Sequence, residues 1–197
     1  MGDASTTRRG PYAKTAERRE QIVDEAYRLF ATRGYHGSSL REIAAAAGIS
    51  LGSLQYHFES KDDLLVAVLA RRDELGAGEG VPAAGGSFAD QIVDQAKRNT
   101  AIPGLIALYS VLSAEAVTAD HPGRDYFVGR YDELRAAYTA ELAALRDAGR
   151  LRDGVDPEIA AATIVALWEG IQLQWLYTPG SIDAATTLRA YLDLVLT

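Results

Sequence analysis

Cysteine is absent from this chain of 197 residues. Its absence excludes disulfide bonds and every metal site that is built on thiolates. Disulfides persist mainly in oxidising compartments, so a chain without cysteine suits the reducing cytoplasm. We therefore expect a cytoplasmic protein that is stabilised by an ordinary hydrophobic core, for which the chain is long enough.

Long apolar runs are also missing. The first residues contain no apolar stretch of the length that a signal peptide needs. We find no segment that is both long and apolar enough to cross a bilayer, and we expect no membrane contact.

Histidine is scarce, with only His36, His57 and His121 in the whole chain. None follows a glutamate by three positions, and no His-Glu-x-x-His motif occurs, so the helical metal sites are excluded. No glycine-rich loop ends in Lys-Ser or Lys-Thr, which excludes a phosphate-binding loop. We expect no enzyme, no metal site and no cofactor. The alternative, a helical enzyme, would require a metal or cofactor to appear on purification.

Positive charge is in short supply overall, because 20 Lys and Arg face 27 Asp and Glu. The deficit is uneven along the chain. Residues 1–75 carry 11 basic and 11 acidic side chains, whereas residues 76–197 carry 9 and 16. Binding to nucleic acid needs only a local basic face, so the first half remains a candidate for it.

The segment from Ser39 to Lys61 has the pattern of two short helices joined by a tight turn. Ser39 and Glu42 form a capping box that starts the first helix. Gly48 supplies the left-handed residue that ends it, and Ser50 caps the second helix two residues later. Apolar residues on both helices form one seam, namely Ile43, Ile49, Leu54 and Phe58. This pattern predicts a helix-turn-helix.

The outer face of the second helix mixes hydrogen-bonding and apolar side chains, as a surface that reads base edges requires. It carries Leu51, Ser53, Gln55, Tyr56 and His57, with Lys61 just beyond it. Gly52 has no side chain, so the backbone could approach DNA closely there. An ordinary helical hairpin in a core would not explain Tyr56, His57 and Lys61 on this face.

The same segment resembles the TetR family of bacterial transcriptional regulators. Members show a Ser or Thr, then Ile-Ala-x-x-Ala-Gly-Val-Ser, then Gly, Tyr, His-Phe and Lys in this order. This chain departs from that pattern only in the conservative Ile49. The resemblance covers roughly residues 15–70, and its matching positions are Ser39, Ile43, Ala44, Ala47, Gly48, Ser50, Gly52, Tyr56, His57, Phe58 and Lys61.

The DNA-binding residues that we predict are Ser39, Arg41, Leu51, Gly52, Ser53, Gln55, Tyr56, His57 and Lys61. Arg41 projects beside the major groove and suits a bidentate contact with guanine. Ser53 and Gln55 are placed to read neighbouring bases. Tyr56 and Lys61 are expected at phosphates, and His57 suits either role.

An all-α chain of about nine helices is the predicted fold class, with an N-terminal helix-turn-helix domain, a connecting helix and a C-terminal ligand-binding and dimerisation domain. We predict that the sixth helix runs from Pro103 to about Ala119 and that Pro122 opens the seventh. The predicted regions are a flexible basic arm at 1–14, the DNA-binding domain with its connecting helix at 15–75, a glycine-rich linker at 76–86 and the C-terminal domain at 87–197.

The basic arm has two interpretations. It contains Arg8, Arg9 and Lys14 and is followed by Arg18 and Arg19. Such an arm can reach a phosphate or the minor groove. It could equally be a solvated tail.

The eighth predicted helix, residues 157–178, is apolar all round its axis and must therefore be covered on several sides. In a chain of this size, a second copy is the natural cover. We predict a homodimer held by helices eight and nine, where a stripe runs from Leu188 to Val195. In TetR-like proteins the last two helices have this role, so pattern and resemblance agree.

Aromatic and polar side chains in helices six to eight are the candidates for a site that binds a small apolar or aromatic ligand. Aromatics at helical spacing are usually core, and Glu115 or Glu169 could simply be exposed or paired with an arginine. The predicted ligand-binding residues are Tyr109, Glu115, Phe127, Tyr131, Trp168, Gln172 and Trp175.

Two functional classes follow. The first is a dimeric repressor that a small-molecule ligand releases from a palindromic, double-stranded operator. The second is a dimeric regulator that binds DNA without a ligand. The sequence leaves both open.

Overall fold

The computed structural model describes residues 11–75, 86–102 and 104–197, of which the side chains of 11–14 and 75 are not described. Within these ranges the chain forms nine α-helices and no strand, which confirms the predicted fold class. The helices are α1 Pro11–Arg33, α2 Leu40–Ala46, α3 Leu51–His57, α4 Lys61–Leu75, α5 Phe88–Ala101, α6 Leu105–Glu115, α7 Arg124–Asp147, α8 Pro157–Tyr177 and α9 Ala184–Val195.

Helix starts follow the caps that the sequence predicts. The capping box of Ser39 is complete, because its side chain accepts from the backbone of Glu42 and the Glu42 carboxylate accepts from the backbone of Ser39. Equivalent boxes join Ser60 to Asp63 and Ser87 to Asp90. Each box satisfies backbone N–H groups that would otherwise lack partners at a helix start.

Two apolar cores lie along the molecule. The first joins α1–α4 to α6 and the start of α7, and Phe30, Leu54 and Leu108 are fully buried in it. The second joins α5, α7, α8 and α9 around Leu142 and Ile164. Helix α6 contacts α1, α5 and α8 and so connects the two cores.

Several predicted boundaries are wrong. Helix α1 begins at Pro11, four residues before the expected start, because proline suits the first turn of a helix. Residues 1–10 of the predicted arm, residues 76–85 of the predicted linker and Pro103 lie outside the described residues. Helix α6 covers Leu105–Glu115 and not 103–119.

The start of α7 also differs from the prediction. Pro122 does not open it, and the helix begins at Arg124 after Gly123. Residues 116–123 form successive turns, in which His121 N donates to Thr118 O at 3.3 Å and Arg124 N donates to His121 O at 3.0 Å. The buried imidazole of His121 explains this, because its Nδ1 accepts from Gly123 N at 3.1 Å and holds the backbone in a turn.

Helix α8 contradicts the expectation that no segment is apolar enough to span a bilayer. By length and composition it is apolar enough to cross a membrane. It lies against α6, α7 and α9 in the second core. A core helix of a soluble protein meets the same criterion of length and apolar composition, so the observation does not by itself indicate a bilayer.

The predicted dimer stripe on α9 is wrong in detail. Leu188 and Leu192 are almost completely buried inside the subunit, where α9 packs on α5. The large apolar side chains that remain exposed on the last two helices are Ile159, Leu173, Tyr177 and Leu194.

Candidate DNA-binding surface and ligand cavity

Helices α2 and α3 form the predicted helix-turn-helix. Gly48 adopts φ +66° and allows α2 to end, after which the Ser50 side chain accepts from Ser53 N at 3.1 Å and starts α3. Ile43 and Leu54, on the inner faces of the two helices, are completely buried. The position of α3 is therefore determined by its apolar side, which leaves the opposite side to solvent.

The outer face of α3 carries the predicted base-reading residues. Gln55 and Tyr56 are exposed, and Tyr56 is 80% accessible. Leu51, Ser53 and His57 are partly exposed. A side chain as large and exposed as Tyr56 contributes little to the subunit core, which supports a contact with a partner.

Gly52 faces open space. A Cβ built at this position meets no protein atom within 4 Å. The protein's own packing therefore does not require glycine here. Close approach of DNA to the backbone would instead explain the glycine.

Arg41 is exposed on α2 and makes no ion pair or hydrogen bond to the rest of the described chain. Its guanidinium is available to a base or phosphate. Ser39, by contrast, is occupied in the cap, where its hydroxyl also contacts Glu42 Oε2 at 2.7 Å. The role of Ser39 at DNA stays a prediction, and its observed role is to start α2.

Lys61 was expected to be free to contact a phosphate, but it packs against another side chain of the protein. Its Nζ is 4.0 Å from the ring centroid of Tyr35, a cation–π contact, and the residue is only partly exposed. Burial lowers its pKa, while Glu115, Asp62 and Glu42 oppose this. To reach a phosphate, Lys61 has to leave Tyr35, so its DNA role also stays a prediction.

A junction between the two halves lies beside Lys61. Glu115, near the end of α6, accepts a hydrogen bond from Tyr35 N at 2.5 Å and a longer one from His36 N at 3.3 Å. The ring of His121 packs edge-on against Tyr35 and His36, at centroid distances of 5.0 and 5.4 Å. We call Tyr35, His36, Lys61, Glu115 and His121 the junction cluster.

The Glu115 carboxylate is thus engaged within the subunit, and its role at a ligand stays a prediction. Its carboxylate binds the backbone of the turn after α1, where it leaves no room for a side chain on Gly34. A Cβ on Gly34 would lie 2.3 Å from Glu115 Oε1, and Gly34 has φ +73°. The contact joins sequence positions that are about 80 residues apart, which no local pattern reveals.

A cavity of about 40 Å³ lies between α4, α5, α6, α7 and α8. Three predicted residues line it, namely Tyr109, Trp168 and Gln172. Trp175 instead lines a neighbouring cavity of about 10 Å³, which Trp168 and Gln172 share. We call the larger space the main cavity.

Phe127 and Tyr131 do not line the main cavity. Phe127 is buried in the first core with its ring 5.4 Å from Tyr109, and its role as a ligand contact stays a prediction. Tyr131 packs 6.5 Å from Tyr109 behind the wall. Burial raises the pKa of both tyrosines and the Glu169 carboxylate raises it further, so both hydroxyls stay protonated.

Sequence reasoning missed much of the wall, whose further members are Arg72, Gln95, Arg130, Leu134, Tyr138, Val165 and Glu169. The signal for Arg72 was present. Leu65, Val68, Leu69 and Arg72 have the i, i+3, i+4, i+7 spacing of one helix face, so the arginine continues a buried apolar stripe. Its side chain is 6% exposed, and its Cζ lies 4.4 Å from the ring centroid of Tyr109.

Comparison with known proteins agrees with this architecture. Residues 22–68 match the family model of bacterial regulatory proteins of the tetR family, and residues 112–197 match the model of the C-terminal region of BetI-type transcriptional repressors. The repressor Rv1474c of Mycobacterium tuberculosis is 31% identical over 184 residues, which cover 91% of each chain. The repressor KstR2 of Rhodococcus jostii is 28% identical over 198 residues, which cover 91% of this chain and 89% of that one.

A solved structure shares the fold. It is a transcriptional regulator from Saccharomonospora viridis in complex with choline, with a TM-score of 0.76 and 23% identity, covering 92% of this chain and 99% of that one. The exposed α3, the two family matches and the full-length relative lead to the same assignment. The chain belongs to the TetR family and is a DNA-binding transcriptional regulator, not an enzyme.

Proposed function

We propose that the protein is a cytoplasmic, homodimeric repressor that a small molecule releases from a palindromic operator. The observation that carries this proposal is the position of α4. Its first residue, Lys61, follows the recognition helix α3, and Arg72 near its other end lines the main cavity. One rigid helix therefore connects the DNA-binding surface to the space for a ligand.

The proposed dimer is supported by large apolar side chains that stay exposed on α8 and α9. Ile159, Leu173 and Tyr177 follow one face of α8 and are 69%, 50% and 83% exposed, and Leu194 on α9 is 69% exposed. Small exposed alanines, Ala162 and Ala166, continue the α8 face between them. Contiguous apolar surface of this kind is typical of an interface between subunits.

Two-fold symmetry gives the dimer a palindromic target. The two copies of α3 would enter successive major grooves, with half-sites about 34–36 Å apart. Arg41, Ser53 and Gln55 are our candidates for base contacts, and the N-terminal end of α4 is a candidate for phosphate contact.

Ligand release is supported by the main cavity. Its volume of about 40 Å³ is smaller than that of an occupied small-molecule site, so a ligand has to widen it. Half of its lining residues are aromatic or aliphatic and half are polar or charged, which suits an organic molecule held in one orientation. A protein of the same fold has been crystallised with choline, a small organic molecule. For release, the ligand must bind the DNA-free conformation more tightly than the DNA-bound one.

The experiment is a titration of operator-bound protein with candidate ligands, in which fluorescence anisotropy of the DNA reports release. Selection from random duplexes first supplies the operator. Trp168→Ala and Gln172→Ala change the cavity wall and should abolish release while leaving operator affinity as it is. A swing from about 1:99 to 99:1 in bound DNA needs roughly 5.5 kcal/mol of preference between the two conformations.

Two results would contradict the proposal. If no compound in a broad panel releases the DNA, the protein is the ligand-independent dimeric regulator that the sequence left open. If release persists in both cavity variants, the ligand acts at a different site.

A further inference from the structure

Three charged groups line the main cavity, which the predicted apolar or aromatic ligand does not explain. Arg72 enters from α4, Arg130 from α7 and Glu169 from α8. The wall therefore contains two guanidinium groups and one carboxylate. The rest of the wall consists of aromatic and aliphatic side chains, among them Tyr138 and Trp168, and of two glutamines, Gln95 and Gln172.

Glu169 is engaged on one side of this wall. Its carboxylate raises the pKa of Tyr109 and of Tyr131 and interacts with the Tyr131 hydroxyl. Arg72 also contacts Asp73, whose Oδ1 lies 3.1 Å from Arg72 Nη1. Asp73 does not line the cavity and its side chain is 44% exposed, so water screens it more than the groups inside.

Gln172 provides an independent observation. The residue is 7% exposed and lines both cavities, and its side-chain amide makes no hydrogen bond within the part of the chain that the structure describes. The amide atoms are not among the fully buried side-chain atoms that lack a partner, so they stay accessible. A ligand oxygen in the main cavity can therefore accept from the amide nitrogen.

We propose that the ligand is an organic anion, with a carboxylate on an apolar or aromatic body. The carboxylate lies between Arg72 and Arg130, the amide of Gln172 donates to it or to a neighbouring oxygen, and the apolar body packs on Trp168 and Tyr138. This inference rests on the proposed function, because it assigns a chemical class to the ligand of the same cavity.

A cationic ligand fits this wall less well. Arg72 already covers the face of Tyr109 that a quaternary ammonium group would use, with 4.4 Å between Cζ and the ring centroid. A cation in the main cavity would also meet two guanidinium groups against one carboxylate, a balance that repels it. Arginine, in contrast, binds carboxylates through paired N–H donors.

The position of Arg72 also connects binding to regulation. Because Arg72 belongs to α4, a carboxylate held by Arg72 and Arg130 draws α4 and α7 together at the cavity. That contact stabilises one position of α4 over another, which is the preference that release of DNA requires.

The test uses probes that differ in charge on matched skeletons. They are 3-phenylpropionate, 3-phenylpropanol and 3-phenylpropylammonium, and octanoate, octanol and octylammonium. Binding is followed by the fluorescence of the two tryptophans, and release by anisotropy of labelled operator. In each series we expect the carboxylate to bind roughly tenfold or more tightly than the alcohol, as one charge-assisted hydrogen bond allows, and the ammonium to bind least.

A variant that binds the carboxylate probes more tightly than wild type cannot be explained by a loss of fold. Glu169→Gln removes the only carboxylate of the cavity wall within the described residues, so carboxylate probes should bind several-fold more tightly. Arg72→Met should remove most of the difference between the carboxylate and the alcohol. Glu133→Gln makes the same change at an exposed position on α7 and serves as the matched control.

The outcomes distinguish two failures. If an ammonium probe binds more tightly than its carboxylate, or Glu169→Gln weakens carboxylate binding, the charge class is wrong while ligand binding stands. If none of the six probes binds or releases operator, both the charge class and the proposed release by this cavity are contradicted.

Discussion

At the scale of single residues, a substitution at Gly52 should affect stability and DNA binding in opposite directions. No protein atom lies within 4 Å of a Cβ built there, so Gly52→Ala adds a methyl group without a clash. Alanine should stabilise α3 by roughly 0.5–1 kcal/mol. If DNA approaches the backbone, the same methyl should weaken operator binding by about 1–3 kcal/mol. Thermal unfolding and an operator titration measure the two effects.

Gly48→Ala is the contrasting variant. Gly48 has φ +66°, so a side chain strains the turn and should lower the free energy of unfolding by about 1–2 kcal/mol. Unchanged operator affinity in Gly52→Ala would show that DNA does not approach α3 at this point.

Arg41 and Lys61 should differ in the kind of contact they make. Arg41→Ala is expected to cost about 1–3 kcal/mol and to relax the preference at one base position. Lys61→Ala should weaken all sequences alike and lower the salt slope by about one unit, provided that Lys61 leaves Tyr35 in the complex. Binding selections and titrations at several salt concentrations check both. Wild-type affinity in both variants would contradict the assignment of the DNA surface.

His121 makes the stability of the junction cluster depend on pH. Burial lowers its pKa below the ordinary value of 6.5, with His36 and Lys61 acting in the same direction and Glu115 and Asp62 opposing it. The folded protein thus resists protonation that the unfolded chain accepts. Stability is retained above the unfolded pKa, falls as the pH decreases through it, and stops falling below the folded pKa.

Thermal unfolding at about pH 7.5 and about pH 5.5 measures this loss. His121→Asn keeps a side-chain acceptor for Gly123 N but does not titrate, so its midpoint should fall less between the two conditions. An equal fall in wild type and variant would show that other groups cause the pH dependence.

At the scale of helices, the apolar stripe of α8 and α9 tests the dimer. Leu173→Glu and Leu194→Glu place a charge on the exposed face and should convert the dimer to a folded monomer that no longer binds a full palindrome. Val117→Glu is the control, because Val117 is 73% exposed but lies outside both helices. Light scattering gives the oligomeric state. A Leu173→Glu monomer with tight palindrome binding would contradict the proposal.

Leu192 shows why the structure is needed to design this experiment. It continues the apolar pattern of α9, yet it is completely buried within the subunit. A glutamate there would bury an unpaired charge and unfold the chain, whatever its effect on dimerisation.

At the scale of the whole molecule, Glu115 joins the C-terminal half to the DNA-binding half. Glu115→Ala removes both hydrogen bonds to the turn after α1, at Tyr35 N and His36 N. We expect the two halves to move more independently, so that a ligand still binds the main cavity but releases operator less completely. Ligand affinity from tryptophan fluorescence and release from anisotropy, measured together, test this. An equal loss of both would indicate damage to the second core instead.

The sequence alone determined the elements and the family. Caps at Ser39, Ser50, Ser60 and Ser87 are local, since each satisfies N–H groups within three residues of itself. The order of the helix-turn-helix residues is equally local, and it carried the family assignment. Where local signals were ambiguous, as at Pro122, the boundary was wrong.

Only the tertiary structure decided what each face contacts. Periodicity shows that a side chain is turned inward but not whether it meets a core, a cavity or a second subunit. Glu115 binds a turn about 80 positions earlier, Phe127 joins the core, and Arg72 continues an apolar stripe into the main cavity. These outcomes depend on contacts between helices that are distant in sequence, and no pattern within one helix encodes them.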